Sequence, residues 1–145
     1  MIYEDQARLR VWLSDRLDRS FTDAARFLGS MVDGDIIGAV AYDDWTGLAC
    51  TVHMAGDHPG WAGSELMYYG LYYPFIECGC ETLLAETTDP IVLELDKRIG
   101  FKVDFVRDNV RPEGPVYYMS LAKADCRWLR RGLHGRKEAK ATQGA

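Results

Sequence analysis

Proton-transfer chemistry is possible at two places in this chain, each near the end of a predicted strand. His53 carries an imidazole that titrates near neutral pH, so it can act as a general base directly or through a water molecule. Glu86, in a later strand, is the competing base. A packed strand histidine and an exposed carboxylate are the non-catalytic alternatives. Cys50 and Cys78 have no His/Asn companion motif, so covalent catalysis is not expected.

The cysteines form no recognisable disulfide or metal pattern. All four lie in apolar or helical surroundings, where a reducing compartment keeps them as buried thiols: Cys50, Cys78, Cys80 and Cys126. A set made of Cys78, Cys80, His53 and His58 is conceivable as a zinc site. Because the Cys-x-Cys spacing has no second paired motif, no metal is expected.

Length and composition predict a single domain that is cytoplasmic and not membrane-bound. The chain has 145 residues, 48% of them hydrophobic, and no apolar run approaches the roughly 20 residues of a membrane helix. The first ten residues, MIYEDQARLR, lack the apolar core of a signal peptide. We therefore expect neither export nor a membrane partner.

Charge is distributed unevenly. The net charge is -5; residues 126–145 hold six Lys or Arg and one Glu, a net +5, so residues 1–125 carry -10. A basic end of this composition is typical of a solvated, flexible tail, and a nucleic-acid partner is the less favoured interpretation. The acidic body favours a cationic ligand by electrostatic attraction.

The segment DPIVLELDKRIGF, residues 89–101, predicts a helix that leads into a strand. Asp89 is a good N-cap, Pro90 suits the first helical position, and Gly100 is placed for the C-terminal cap. The helical spacing of the apolar residues predicts that one face of this helix is buried and that the other residues face the solvent. The predicted buried face consists of Ile91, Val92, Leu95 and Ile99.

The rest of the chain predicts a further helix and strand order, with no strand before the first helix. The elements are a helix over 3–18, strands over 27–32, 36–42 and 48–55, a helix over 64–78 that Pro74 kinks, a strand over 82–87, and strands over 101–107 and 116–121. The first helix places Ala7, Val11, Trp12, Leu13 and Leu17 at near-helical spacing. Asp33, Gly34 and Asp35 predict a tight hairpin turn.

This order over residues 5–121 resembles the GNAT superfamily of acyl-CoA N-acetyltransferases, and small bacteriophage-encoded members in particular. Its late motif, N-x-x-A-I-x-L-Y-x-x-x-G-F, places Asp89 on the Asn, Asp96 on the Tyr, and Gly100 and Phe101 on the Gly-Phe. The resemblance implies an α/β (α+β) fold, with a mixed, mostly antiparallel central sheet flanked by helices. It also implies an acyl-CoA-binding domain over 1–125, followed by the basic tail over 126–145.

The resemblance implies acetyl-CoA as the cofactor and assigns residues to it. The pyrophosphate would meet the loop and helix start at Trp61, Ala62, Gly63 and Ser64, and the pantetheine arm would follow the strand at Val52, His53, Met54 and Ala55. Asp89 would contact the cofactor or act only as the N-cap. In the family pattern Arg/Gln-x-x-Gly-x-Gly/Ala, His58 and Trp61 are departures, and neighbouring Asp57 is anionic. A loop that merely connects strand to helix is the alternative.

The resemblance also implies acetyl transfer, which needs a base, a stabilised oxyanion and an acid. His53 and Glu86 are the candidate bases. An ionised Asp96 cannot take the tyrosine's acid role unless its pKa is strongly raised; the tyrosines that could replace it are Tyr72, Tyr73, Tyr117 and Tyr118.

Two functions follow from the resemblance. The first is an acetyl-CoA dependent N-acetyltransferase that transfers an acetyl group to an amine of a protein or small molecule by direct attack. The alternative is a catalytically silent GNAT-like phage protein that binds a host or virion protein partner. A homodimer is possible in either case.

Overall fold

The computed structural model describes residues 2–57 and 60–131 of the chain. It contains seven strands and four α-helices in this part: β1 (Ile2–Tyr3), α1 (Gln6–Leu17), β2 (Arg26–Val32), β3 (Asp35–Asp43), β4 (Ala49–Gly56), α2 (Ser64–Tyr72), β5 (Thr82–Thr87), α3 (Pro90–Ile99), β6 (Lys102–Arg107), β7 (Val116–Ala122) and α4 (Arg127–Arg131). The sheet order is β1-β2-β3-β4-β5-β7-β6. Only β4 and β5 pair in parallel. The predicted mixed, mostly antiparallel sheet with flanking helices is confirmed.

Alternate residues of β3 enter two separate cores. Ala39 and Ala41 pack with the buried leucines of α1, whereas Val40 and Tyr42 pack with residues of α2 and α3. Because successive side chains of a strand point to opposite faces, α1 covers one face of the sheet and α2 and α3 cover the other. The sheet is thus buried on both sides around its central strands.

The β2–β3 hairpin forms at the predicted turn. Asp33 and Gly34 both adopt positive φ angles, 50° and 84°, as the two central residues of a type I′ turn require. Asp and Gly tolerate this conformation, which matches the twist of the two strands. The turn prediction from the sequence is confirmed.

The buried face of α1 differs from the predicted one. Leu9 and Leu13 are completely buried, while Val11 is 62% exposed and Ala7 is also exposed. Burying each leucine contributes about 2 kcal/mol. In addition, the two residues of β1 pair with β2, so the expectation of no strand before α1 was wrong; two residues are too few for an alternating pattern to be recognised.

The helix that follows the glycine-rich loop changes form at the predicted proline. Regular α-helix ends at Tyr72, and a π-helical turn, Tyr73–Glu77, contains Pro74. Proline has no N–H to donate to the preceding turn, so the wider turn accommodates it. Gly79 follows with a positive φ of 74° and ends the helical segment.

Both predicted ends of α3 are confirmed, but its buried face is not. The Asp89 carboxylate accepts a hydrogen bond from the Ile91 N–H at 2.8 Å, and Gly100 has a φ of 126°. Ile91 is 80% exposed, and the residues that face the core are Leu93, Asp96 and Ile99. The helical periodicity was predicted correctly, but the buried face is rotated around the helix axis relative to the predicted one. The prediction missed it because an acidic residue, Asp96, occupies one of the buried positions.

The start of the predicted tail packs against the domain. Cys126 is fully buried, and the Trp128 indole N–H donates to the Ile99 carbonyl at 3.0 Å. The tail prediction for 132–145 lies outside the described residues. Within the described part, no helix is long and apolar enough to cross a membrane.

Candidate functional site

A gap opens in the middle of the sheet where β4 and β5 separate. The two strands pair only at Ala49, Cys50 and Thr51 of β4. Beyond Thr51, β4 continues to pair with β3 as far as Gly56, and β5 continues to pair with β7 as far as Thr87. The facing edges of the two central strands are therefore left without a strand partner, in a position that an extended ligand can enter.

Both candidate bases line a cleft at this gap. The cleft has a volume of about 290 Å³, and its walls come from the end of α1, the β3–β4 turn, β4, β5, β6 and β7; they are Arg19, Asp44, Thr51, His53, Leu84, Ala85, Glu86, Asp104, Phe105, Tyr118 and Met119. The structure thus brings His53 and Glu86 into one cavity. Three carboxylates and one guanidinium line it, which favours a cationic ligand.

His53 is buried and held from one side. It is 9% exposed, and its Nδ1 lies 3.3 Å from Nη1 of Arg19. Burial, and secondarily the positive charge of Arg19, lower the pKa of His53 to about 4. The ring is therefore neutral at pH 7, and the sequence-based expectation that it titrates near neutral pH does not hold.

Glu86 is engaged by an arginine from the β6–β7 loop. Arg111 Nη2 lies 2.6 Å from Glu86 Oε1, and this charge-assisted hydrogen bond raises the pKa of Arg111. The Glu86 side chain remains 24% exposed. The carboxylate is thus held at the cleft wall with one oxygen occupied.

The N-terminus of α2 offers uncapped backbone donors. Gly63 is the N-cap residue, and no side chain of the described residues donates or accepts a capping hydrogen bond there. The first N–H groups of a helix have no intrahelical partner and bind anions readily. The predicted phosphate residues Ala62, Gly63 and Ser64 lie at this point of the chain. His58, which takes the family's Arg/Gln position, lies outside the described residues.

Trp61 rests on the sheet. Gly38 and Gly56 pair across β3 and β4, and a Cβ placed on either glycine would lie within 2.4 Å of the Trp61 side chain. The absence of side chains at these two positions therefore creates the surface that receives the indole. The side chain at this departure from the family pattern has a packing role of its own.

Asp57, the anionic neighbour of the loop, is paired. Arg16 of α1 donates to its carboxylate from Nε at 2.9 Å and from Nη2 at 2.5 Å. Hydrogen bonding to Arg16 lowers the pKa of Asp57. Arg16 also stacks on Trp12, 3.7 Å from the ring centroid. The negative charge beside the loop is thus balanced by a fixed guanidinium.

The predicted pantetheine residues all lie beyond the last paired residue of β4. Val52, His53, Met54 and Ala55 follow Thr51 and have no β5 partner. On the α2 side, Val52 and Met54 join Met67 around an apolar space of only about 10 Å³. Methionine side chains change conformation easily, so this space can widen when a ligand enters.

These features fit an acyl-CoA. An uncapped helix N-terminus, Gly63 without a side chain, and the open edge of β4 supply donors for phosphates and for an extended arm. When bound, acetyl-CoA supplies a thioester carbonyl that an amine can attack. Asp89 is committed to the α3 cap through Oδ1, and its role toward the cofactor stays a prediction.

Asp96 is a buried acid at the position of the family's tyrosine. It is 2% exposed, and its Oδ1 has no hydrogen-bond partner among the described residues. Burial raises the pKa of Asp96 to about 7. The objection that this aspartate must be ionised therefore does not hold. A polar residue three positions from both Leu93 and Ile99 was the sequence signal for it.

The cysteines are free thiols, and three of the four are buried. Cys78 is exposed, contrary to the expectation that all four are buried, because it follows the π-helical turn at the surface. Burial raises the pKa of Cys50, Cys80 and Cys126. Over 2–57 and 60–131, no group of three or more His, Cys, Asp or Glu side chains is placed to hold a metal ion.

A larger cavity lies away from the strand gap. It has a volume of about 430 Å³, and its lining comes from β1, β2, α2 and the π-helical turn, with residues Ile2, Glu4, Leu28, Glu65, Tyr69, Tyr72, Tyr73 and Glu77. No residue of β4 or β5 contributes to it. The smaller cleft is therefore the one that adjoins the candidate catalytic residues.

Comparison with known proteins identifies the fold by structure and not by sequence. No protein-family model matches the chain, and no curated protein matches it. A GNAT-family acetyltransferase from Streptococcus pneumoniae is similar in structure, with a TM-score of 0.65 and 16% identity over 84% of this chain and 98% of that one. The similarity therefore lies in the arrangement of helices and strands.

Two further neighbours are named acetyltransferases. Campylobacter jejuni N-acetyltransferase PseH matches with a TM-score of 0.57 and 20% identity over 78% of this chain and 77% of its own. The structure of PseH in complex with acetyl coenzyme A matches with a TM-score of 0.55 and 18% identity, over the same shares of the two chains. A mutant of spermidine N-acetyltransferase SpeG from Vibrio cholerae matches with a TM-score of 0.64 and 14% identity, over 83% of this chain and 76% of its own. The chain has the GNAT fold.

Proposed function

We propose that this chain is an acetyl-CoA dependent N-acetyltransferase that transfers an acetyl group to an amine by direct attack. The observation that carries the proposal is the separation of β4 and β5 beyond Thr51, beside a cleft that contains His53 and Glu86. The GNAT fold and a neighbour with bound acetyl coenzyme A support it. The reaction needs the amine and the acyl group in one place, and the cleft lies directly beside the strand gap.

The acceptor in this proposal is a cationic amine on a small molecule or protein. Asp44, Glu86 and Asp104 supply the negative charge of the cleft wall. Arg111 pairs with Glu86, and Arg19 also lines the cleft, so the negative charge that selects a cation comes mainly from Asp44 and Asp104. We retain a cytoplasmic location, a possible homodimer and a possible phage origin with a host protein target as parts of the hypothesis.

The residues named for acetyl-CoA keep their predicted roles in this proposal. Ala62, Gly63 and Ser64, with the backbone of Trp61, would receive the pyrophosphate at the helix start. The edge of β4 beyond Thr51 would hold the pantetheine arm. Asp89 would act near the arm in addition to capping α3.

Titration calorimetry with acetyl-CoA and coenzyme A tests the proposal. We expect micromolar binding that Gly63→Glu abolishes, because the new carboxylate repels the pyrophosphate. The substitution has steric room, since a Cβ on Gly63 would lie 3.6 Å from its nearest neighbour. Ala124→Glu is the matched control: it adds the same charge at an exposed position after β7 and should retain binding.

An acceptor screen follows by measuring thiol release with amines of different charge. Di- and polyamines and lysine-rich peptides should react faster than neutral amines of the same basicity. Absence of acetyl-CoA binding at millimolar concentration would contradict the enzymatic proposal.

A catalytically silent protein that binds a protein partner is the second candidate. One observation favours it: both candidate bases are engaged, His53 by Arg19 and Glu86 by Arg111. If acetyl-CoA does not bind, a pull-down with the intact chain is the appropriate experiment, and reversal of the charges at Asp44 and Asp104 should weaken capture.

A further inference from the structure

The contact between Arg19 and His53 permits only one arrangement of protons. Nη1 of Arg19 lies 3.3 Å from Nδ1 of His53. A guanidinium has only N–H donors and stays protonated, so Nδ1 must be the nitrogen that accepts. A neutral imidazole has one N–H, and its proton is therefore on Nε2.

The fold fixes the position of Arg19. Helix α1 ends at Leu17, and its C-cap residue Asp18 has a φ of 48°. The N–H groups of Asp18 and Arg19 both donate to the Ser14 carbonyl. The Arg19 guanidinium lies 5.9 Å from the Phe21 ring centroid. The edge-on contact of Phe21 with His53, at 5.6 Å, joins the three side chains.

A buried carboxylate anchors the segment that follows. The Thr22 N–H donates to Asp43 Oδ2 at 2.8 Å, and the Thr22 hydroxyl donates to the other oxygen. Burial alone would raise the pKa of Asp43, but the hydrogen bonds from Thr22 and Asp44 lower it. Asp43 therefore stays ionised and ties the segment that follows α1 to the end of β3.

The second nitrogen of His53, Nε2, has no hydrogen-bond partner in the described part of the chain. Nε2 is buried and makes no hydrogen bond within residues 2–57 and 60–131. A buried donor without an acceptor is uncommon in folded proteins and calls for an explanation. His53 lines the cleft, so a ligand that enters there and uncovers Nε2 supplies the missing acceptor.

We infer that Arg19 is a positioning residue: it holds His53 with the proton on Nε2, so that His53 donates a hydrogen bond to an oxygen atom of the ligand in the cleft. This rests on the proposed function, and it replaces the role of His53 as base. A lone pair already used by Arg19 cannot take the proton of the attacking amine. That proton passes to Glu86 or to water at the cleft.

The charged groups around His53 are compatible with this assignment. Arg19 approaches from the end of α1, Asp43 and Asp44 from the end of β3, and Glu86 from β5; the three carboxylates favour the protonated ring. Burial and Arg19 outweigh them and lower the pKa of His53 to about 4. The ring consequently remains neutral across the pH range in which acetyl transfer would be assayed.

Nitrogen-15 NMR of histidine-labelled protein tests the inference without any ligand. Spectra of the His53→Gln variant identify the His53 signals by their loss. We expect the proton on Nε2 in the unmodified protein, a shift of the tautomer population toward Nδ1–H in Arg19→Leu, and recovery of Nε2–H in Arg19→Lys, which retains a cationic donor. A proton on Nδ1 in the unmodified protein would overturn the inference.

This readout separates the two proposals. It needs no acyl-CoA, so a failure of acetyl-CoA to bind removes the proposed function and leaves the tautomer result intact. Conversely, an Nδ1–H tautomer removes the inference and leaves the acetyltransferase proposal open. Arg19 is exposed, and near-ultraviolet circular dichroism of its variants reports whether the fold is unchanged.

Two substitutions of His53 give a kinetic readout. His53→Gln places an amide donor near the position of Nε2, while His53→Glu supplies a base and no donor. We expect kcat/KM to fall less than about tenfold for Gln and more than about a hundredfold for Glu. The reverse order, or an equal loss in both, would overturn the donor role.

The same kinetics identify the oxygen that His53 contacts. A loss confined to kcat places that oxygen on the acyl group, where charge develops in the transition state. A loss confined to KM places it on the acceptor. Each result is consistent with the donor role and assigns its target.

Discussion

His53 on β4 and Asp96 on α3 are both buried, and each has one polar atom without a hydrogen-bond partner among the described residues, yet burial moves their pKa values in opposite directions. For His53 the pKa falls to about 4, and for Asp96 it rises to about 7. The cause is the same, because loss of water disfavours the charged form of each. Between these two values both groups are neutral.

This difference reverses the expectation from residue type. Histidine is the side chain whose ordinary pKa lies near neutral pH, but in this fold the group that titrates near pH 7 is the aspartate. His53 stays neutral there and contributes through hydrogen bonding, whereas Asp96 exchanges a proton in the physiological range. Burial thus gives the aspartate a pKa in the range usual for histidine, and the histidine a pKa in the range usual for aspartate.

The two groups also give stability opposite dependences on pH. The unfolded chain binds a proton at His53 near pH 6.5, before the folded chain does, so stability falls as pH drops from 6.5 to 4. The unfolded chain releases the Asp96 proton near pH 3.8, before the folded chain does, so stability falls as pH rises from 3.8 to 7. Between about pH 4 and 6.5 the two contributions oppose each other.

Replacement of Asp96 by Asn should have the largest effect. A neutral amide cannot ionise, so the stability that Asp96 loses above its unfolded pKa is recovered. Because burial raises the pKa of Asp96 to about 7, the gain is about 4 kcal/mol at pH 8. Urea unfolding from pH 4 to pH 8 measures this gain, which should diminish toward pH 4.

Glu94→Gln is the control for that experiment. Glu94 lies on the same helix with its side chain 63% exposed, and its replacement should change the free energy of unfolding by less than about 0.5 kcal/mol. Parallel pH curves for Asp96→Asn and the unmodified protein would show that burial of Asp96 does not perturb its pKa.

Replacement of His53 by Gln should remove the loss of stability that His53 causes as the pH falls from 6.5 to 4. The unmodified protein is expected to lose about 3 kcal/mol between pH 6.5 and pH 4 from this residue, and the variant should not. Urea unfolding at these two pH values measures the difference. His134→Gln, at a position outside the described residues, is the comparison variant and should retain the loss; equal losses in all three proteins would contradict the assignment.

Replacement of Glu86 by Gln should have the smallest effect of the three substitutions on the free energy of unfolding. The negative charge of Glu86 raises the pKa of His53 but acts against the larger effects of burial and Arg19, so its removal should lower that pKa further. Stability should change by less than about 1 kcal/mol, because the Glu86–Arg111 pair is partly exposed to solvent. An NMR titration of His53 measures the direction, and an upward movement would mean that Glu86 does not act on the imidazole through its charge.

The sequence predicted most elements because their ends carry specific signals. Asp89 and Gly100 marked both ends of α3, and Asp33 with Gly34 marked the hairpin turn. The buried faces were less predictable: Leu9 rather than Val11 enters the core, and Ile91 is exposed. Which side of a helix meets the sheet depends on how the helix docks, and periodicity alone does not set that rotation.

The residues of the candidate site also fall into those that the sequence predicted and those that it did not. The order of strands placed His53 and Glu86 near one gap, and the cleft contains both. Arg19, Asp44 and Asp104 were not recognised, because they come from three separate turns and strands that only folding brings together. Their roles, like those of the predicted cofactor residues, are now testable proposals.

By itself, the sequence determined the order of helices and strands, the turns and caps, and the acidic balance of the body, because these depend on neighbours along the chain. Tertiary structure decided that Arg19 meets Nδ1 of His53, that Trp61 rests on Gly38 and Gly56, and that the Asp96 side chain is buried. Tautomer and pKa depend on the partners and the solvent around a group, and those are set only when distant segments pack together.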